Sequence, residues 1–183
     1  QIPSIVACWN RIRNNLDIVE PLENNSHAEN VLYMIHGRKP TKEETKVFDI
    51  SLILHAEHSF NASTFAAREI ASTRAHIYSC ICGALGALSG ELHGGANVQV
   101  MKMLLDISDP SKVEEWVISR LKEGKRVMGM GHAVYRTTDP RADVLARLSK
   151  FMCKDSNSKW YEITERVEYY TKKFMLDFKK QPI

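Results

Sequence analysis

Helix-start signals constrain this chain more than any other feature. Ser26 with Glu29, Thr41 with Glu44 and Ser111 with Glu114 each have capping-box spacing. In that motif a hydroxyl and a carboxylate three residues apart satisfy backbone N–H groups that would otherwise be unpaired at a helix start. Asp139 followed by Pro140 reads as an N-cap with proline at the first helical position. Between these signals the apolar residues recur in steps of three and four. The sets are Ile77, Cys80, Ile81, Ala84, Leu85 and Leu88; Val144, Leu145, Leu148, Phe151 and Met152; and Trp160, Ile163, Val167, Tyr170, Phe174 and Phe178. Strict period-two alternation is hard to find, so the sequence predicts an all-α fold.

Composition narrows the function classes. The 183 residues are 44% hydrophobic and 26% charged, ordinary for a globular protein with a real core. The net charge of +3 comes without a Lys/Arg block or a basic stripe interleaved with aromatics, which argues against nucleic acid. No apolar run is long enough to span a membrane and no signal peptide opens the chain. Gln1 at the start suggests a piece of something longer. Cys8, Cys80, Cys82 and Cys153 form no CxxC pair and read as buried thiols in a reducing compartment.

Turns are expected at Gly37–Pro40, Ser89–Gly95, Asp106–Ser111, Gly124–Asp139 and Asp155–Ser158. The fourth, "GKRVMGMGHAVYRTTD", is long for a loop in a compact helical protein, and such loops tend to be functional or disordered. Its apolar residues argue against disorder.

Three motifs could carry chemistry. In "LHAEHSFNAST", His55 and His58 lie three apart on one helical face. The pair could bind a metal, but no second His or Cys pair completes a ligand set, so no metal site is assigned. The alternatives are a hydrogen-bonded pair closing a helix end and, for His58, a donor to an anionic substrate. In "GELHGGANVQV", His93 falls between two helical runs, where the positive end of a helix dipole disfavours imidazolium. A neutral imidazole there can donate one hydrogen bond to a developing oxyanion. Gly94 and Gly95 would let a substrate approach the backbone. The competing reading is a histidine that merely caps a tight turn. In "GMGHAVYRTTDPRAD", Gly129 and Gly131 open the backbone around Met130, and His132, Arg136 and Arg141 follow. Arg141 in a first helical turn suits a bound carboxylate, or else pairs with Asp139 or Asp143. The set suits carboxylate binding with carbonyl polarisation, and suits neither a serine triad nor hydride transfer.

"LHAEHSFNASTFAAR", "GELHGGANVQVMKML" and "GMGHAVYRTTDPRA" closely resemble the citrate synthase family, and the likeness runs through essentially the whole chain, from "SIVACWNRIRNN" to "SKWYEI". The resemblance implies a multi-helical fold of two domains, with residues 1–107 part of the large domain and 108–183 the small one. It implies a homodimer in the cytoplasm, or in the mitochondrial matrix of a eukaryote, serving the tricarboxylic acid cycle. The reaction implied is condensation of acetyl-CoA, as cosubstrate, with oxaloacetate and hydrolysis of citryl-CoA, with no metal and no permanently bound cofactor. By motif, His93 would hydrogen-bond the thioester oxygen and stabilise the enol, and His132 would bind and polarise the oxaloacetate ketone. His58 and Arg141 would bind oxaloacetate, while Arg126, Gly129, Met130, Gly131 and Arg136 match the region that holds the CoA nucleotide.

Within the family, 2-methylcitrate synthase, which uses propionyl-CoA, shares these motifs. A non-catalytic helical module that holds a CoA-like or dicarboxylate ligand is the rival from another class. Family chains are far longer, and no residue here matches their enolising aspartate. Glu91 stands where the family commonly has proline, and Arg74 and His76 stand where it has small or acidic residues. A positioned base contributes about a hundred- to ten-thousand-fold in rate. The 183-residue chain alone is therefore expected to release no CoA thiol from acetyl-CoA with oxaloacetate, whereas the full-length product does; oxaloacetate-dependent release by the short chain would reveal a base within it.

Overall fold

The computed structural model describes residues 1–57, 59–131, 139–154 and 158–179, of which 158, 178 and 179 are described by backbone alone. These residues form helices and turns, with no strand among them. In chain order the helices are α1 (Ile2–Arg13), α2 (His27–His36), α3 (Lys42–His55), α4 (Ala62–Ser72), α5 (Ile77–Leu88), α6 (Gly95–Ile107), a 3-10 turn (Pro110–Lys112), α7 (Val113–Lys122), α8 (Pro140–Met152) and α9 (Ser158–Lys179). The chain divides into two compact units, Gln1–Glu57 and His58–Ile183.

Two of the three capping boxes form as the spacing predicts. Ser26 Oγ accepts from Glu29 N at 3.3 Å while Glu29 Oε2 accepts from Ser26 N at 2.9 Å. Thr41 Oγ1 accepts from Glu44 N at 3.0 Å while Glu44 Oε2 accepts from Thr41 N at 2.8 Å. The third does not form. Ser111 directs both its N–H and its hydroxyl to Asp109 Oδ1, at 2.8 and 2.7 Å, and α7 starts from Lys112 with no side-chain cap. Asp109 takes the Ser111 N–H that the box would have given to Glu114, and turns the entry into a 3-10 turn capped by itself. Asp139 caps α8 as expected, accepting from Arg141 N at 2.9 Å.

In the first unit α2 packs against both α1 and α3. Ala7, Ala28, Val31 and Met34 are buried there, together with Arg11. The Arg11 guanidinium donates to two backbone carbonyls, Asp17 O and, at 3.2 Å, Ile35 O in the last turn of α2. Gly37, which ends α2 with φ +69°, leaves room for that guanidinium, since a Cβ at 37 would lie 2.8 Å from Nη1.

In the second unit α4 packs on α5, and α9 packs against α6, α7 and α8. Its core combines Met103 and Ile107 of α6, Val113, Val117 and Leu121 of α7, Val127 of the following loop, and Ile163, Val167 and Phe174 of α9. The apolar residues of α9 buried in this core are those its three-four pattern marks; Thr171 is buried outside the pattern, and Trp160 and Tyr170 are partly buried. Phe178, in the same pattern, lies outside the described side chains. The periodic residues of α5 behave differently: Cys80 is buried, whereas Ile77, Leu85 and Leu88 are exposed. The cysteines are free; Cys80 is buried, Cys8 and Cys153 are half-buried, and Cys82 is exposed, so the expectation of buried thiols holds fully for Cys80 alone.

At the start of α3, Glu44 also takes a two-pronged bond from Arg38, at 2.9 and 2.6 Å. Arg38 first, then the Thr41 N–H, hold the Glu44 carboxyl well below the usual range, at about 2. A carboxyl depressed on folding contributes stability that is present above its unfolded value, near 4.5, and is lost as pH falls through the folded one. Gln can still fill the box but cannot neutralise Arg38. Glu44→Gln should therefore lower the urea midpoint near neutral pH, with the deficit shrinking from pH 4.5 toward 2; a deficit that persists unchanged at the low end would exclude the ion pair as its source.

Candidate functional site

The site is built around the turn that joins α5 to α6. Close packing of α4 on α5 sets the ground: a Cβ at Gly83 would lie 2.2 Å from Ile70 Cδ1, so α5 approaches α4 through a bare backbone there. Gly83 belongs to the line of small residues Ser79, Gly83, Ala87 and Gly90, and its missing side chain serves a contact within the chain. His76 caps α5, its Nδ1 accepting from Tyr78 N at 3.4 Å.

After Leu88 the chain reverses through overlapping backbone hydrogen bonds: His93 N to Gly90 O at 3.0 Å, Gly94 N to Leu88 O at 3.0 Å, and Gly95 N to Gly90 O at 3.1 Å. Glycine at 94 is required by space rather than by dihedral angle, since its φ is −69°. A Cβ on Gly94 would lie 2.2 Å from the Leu88 carbonyl oxygen. Gly94 therefore first admits the chain's own turn. Leu92 is fully exposed at its apex and Glu91 is exposed beside it.

His93 is half-buried immediately before the first turn of α6. Its Nε2 lies 2.6 Å from Ser63 Oγ. Ser63 also lies 3.0 Å from Asn61 Oδ1, and Asn61, the N-cap of α4, accepts from Thr64 N at 3.0 Å. The Ser63 hydroxyl has one proton and two acceptors within reach, so its direction selects the tautomer of His93. Donation to Nε2 leaves the ring proton on Nδ1, which has no partner among the described residues. Asn61 and Ser63 were not among the residues singled out from sequence. Both lie in the "HSFNAST" motif, but only the fold brings Ser63, thirty residues away, to His93.

A second group follows α7. Gly124 (φ +71°) ends that helix, with Gly124 N bonded to Leu121 O at 3.1 Å and Lys125 N to Arg120 O at 2.9 Å, the pair of bonds of a Schellman motif. Val127 then inserts into the core, and Met128 and Met130 pack against it. Gly129 and Gly131 both adopt positive φ, +81° and +76°, the conformation that most favours glycine. Arg126 exposes its side chain, while its carbonyl accepts from Arg120 Nε at 3.0 Å.

Arg141, in the first turn of α8, holds Asp139 through Nε at 3.0 and 3.2 Å and Nη2 at 2.6 Å; both side chains are about one-quarter exposed. The pairing alternative considered from sequence is thus realised with Asp139. His58, His132 and Arg136, the remaining sequence-assigned residues, lie outside the described residues. His55 ends α3 with its Nδ1 2.7 Å from Ser51 O. Among the described residues no three His, Cys, Asp or Glu side chains are grouped to hold a metal ion.

The chain belongs to the citrate synthase family: the family model for the citrate synthase C-terminal domain matches residues 1–182. It is 46% identical over 169 residues to citrate synthase 2 of Bacillus subtilis, covering 92% of this chain and 45% of that protein. It is 42% identical over 163 residues to a 2-methylcitrate synthase of Mycobacterium tuberculosis, covering 88% and 42%. The fold superposes on the crystal structure of citrate synthase from Thermotoga maritima with a TM-score of 0.81 at 41% identity, covering 95% of this chain and 48% of that one. It also superposes on citrate synthase from Thermoplasma acidophilum, solved as a ternary complex with carboxymethyl coenzyme A and oxaloacetate. There the TM-score is 0.86 at 36% identity, covering 94% and 46%. The chain spans about half the length of the curated relatives it matches.

The turn geometry makes Gly94 and Gly95 unequal. Gly94→Ala drives a methyl into the Leu88 carbonyl, whereas the nearest atom to a Cβ on Gly95 is Gly90 O at 3.4 Å. Gly94→Ala should cost about 1–3 kcal/mol by chemical denaturation, and Gly95→Ala clearly less; equal costs would show that the turn relaxes around either methyl.

Proposed function

We propose that the complete protein is an acyl-CoA condensing enzyme that joins acetyl-CoA to oxaloacetate and hydrolyses the citryl-CoA formed. The observation that carries this reading is the 2.6 Å contact of Ser63 with His93 Nε2 at the entry to α6. With the Ser63 proton directed to Nε2, His93 keeps Nδ1–H as a donor for the thioester oxygen as the enolate forms. Such a preorganised donor acts where negative charge develops, which is where a hydrogen bond accelerates the chemical step most.

The other roles follow the family motifs. His132 polarises the oxaloacetate ketone, and His58 and Arg141 bind its carboxylates, with Arg141 exchanging Asp139 for substrate. Arg126, Gly129, Met130, Gly131 and Arg136 hold the CoA nucleotide against a backbone opened by glycine. No metal or resident cofactor is assigned to the reaction. The complete protein acts as a homodimer in the cytoplasm, with residues 1–107 in its large domain and 108–183 in the small one. The similarity to a 2-methylcitrate synthase keeps propionyl-CoA as the alternative acyl donor.

CoA thiol release by the complete protein, measured with oxaloacetate and either acetyl-CoA or propionyl-CoA, tests the reading and separates the two donors. Ser63→Ala should lower kcat by about tenfold or more, while the oxaloacetate KM changes little. No oxaloacetate-dependent release with either thioester would refute the condensing function, and an unchanged kcat in Ser63→Ala would remove Ser63 from it.

A further inference from the structure

We infer that Arg120, a residue outside the family motifs quoted above, is a positioning residue that holds the acyl-CoA-binding loop in its bound shape. The inference rests on the condensing reading for the identity of the ligand, and on geometry for the rest.

Arg120 sits in the last turn of α7 and touches the loop in two ways. Its carbonyl accepts from Lys125 N at 2.9 Å, and its Nε donates to Arg126 O at 3.0 Å. The peptide before Lys125 and the peptide after Arg126 are thus both tied to one residue. The next side chain, Val127, is 4% exposed in the core, so the strand of chain entering Gly129–Gly131 is fixed from two sides. The guanidinium is itself held: it lies over the Trp116 ring, 4.9 Å from the centroid, and Trp116 Nε1 donates to Asp106 Oδ2 at 2.8 Å. Asp106 belongs to α6, the helix whose other end begins just after His93. One relay of contacts therefore connects the helix that presents His93 to the loop that begins at Lys125.

Two features distinguish this from a surface stack. Arg120 has no carboxylate within ion-pair distance among the described residues, although its charge helps hold the nearby Glu123 carboxyl below its ordinary value. Its Nε donation turns the Arg126 carbonyl inward, while the Arg126 side chain is exposed and has no hydrogen-bond partner among the described residues. A bulky polyanion such as the CoA nucleotide would meet a backbone already shaped and two guanidinium charges. Loss of Arg120 leaves binding possible but makes the ligand order the loop itself.

The experiment uses the complete protein with Arg120→Ala, Arg120→Met and Arg120→Lys, read by steady-state kinetics and by amide hydrogen exchange. Arg120→Ala and Arg120→Met should raise the acyl-CoA KM by roughly three- to tenfold, the effect of losing one net hydrogen bond. The oxaloacetate KM and kcat should move much less, and Arg120→Lys, which keeps a donor and a charge, should recover most of the loss. The Lys125 and Met130 amides, bonded to Arg120 O and Val127 O, should exchange faster in the alanine and methionine variants. Equal rises in both KM values, a fall in thermal midpoint with unchanged acyl-CoA KM, or unchanged exchange of both amides would each overturn the proposal. Absence of thiol release by the wild type would instead overturn the condensing reading and the ligand assigned here, and the exchange rates would still decide whether Arg120 holds the loop.

Discussion

The reversal between α5 and α6 depends on a contact that only glycine permits. The Leu88 carbonyl receives the Gly94 N–H at 3.0 Å, and a Cβ at 94 would lie 2.2 Å from the same oxygen. Because the chain closes so tightly, the six residues 89–94 suffice to join α5 to α6, and His93 is carried to where its Nε2 meets Ser63. The α4–α5 contact at Gly83 and Ile70 works in the same direction. It brings the start of α4, with Asn61 and Ser63, alongside the turn. Remove either close approach and the hydrogen bond to His93 has no reason to form.

From that turn the geometry propagates along α6. Its far end supplies Met103 and Ile107 to the core shared with α7 and α9, and Asp106 to the Trp116 indole. The same core receives Val127, so burial of one valine fixes where the glycine loop leaves the helix. An apolar residue inside a long polar loop is costly to leave in water and favourable to bury, worth about 1.5–3 kcal/mol for a fully buried valine. The loop is anchored by packing at Val127 and by hydrogen bonds at Lys125 and Arg126. It is opened by positive φ at Gly129 and Gly131.

Charge is arranged locally and with economy. Arg141 is neutralised by Asp139 two residues away, Glu44 by Arg38, and Arg11 is buried against carbonyl oxygens rather than carboxylates. The first pair bears on function, since the cation proposed to meet oxaloacetate already has a partner that a substrate carboxylate would replace. A partly exposed pair of this kind is worth little in stability, which makes such an exchange inexpensive.

The sequence by itself determined the helices, because their signals are local. Ser26, Thr41 and Asp139 reach donors two or three residues away, and a three-four apolar repeat marks the buried face of α9 whatever it packs against. It also determined the family, through long motifs whose order is specific, and it singled out His93 and Arg141 as candidate site residues. Ser111 shows where local reading fails: Asp109 competes with Glu114 for the Ser111 N–H, and the closer acceptor wins. Only the tertiary structure decided that Leu85 and Leu88 stay exposed, that Gly83 serves Ile70, that Gly94 serves Leu88, and that Ser63 meets His93. Each of these depends on two segments brought together by packing, and a contact between residues thirty positions apart leaves no periodic trace in either segment.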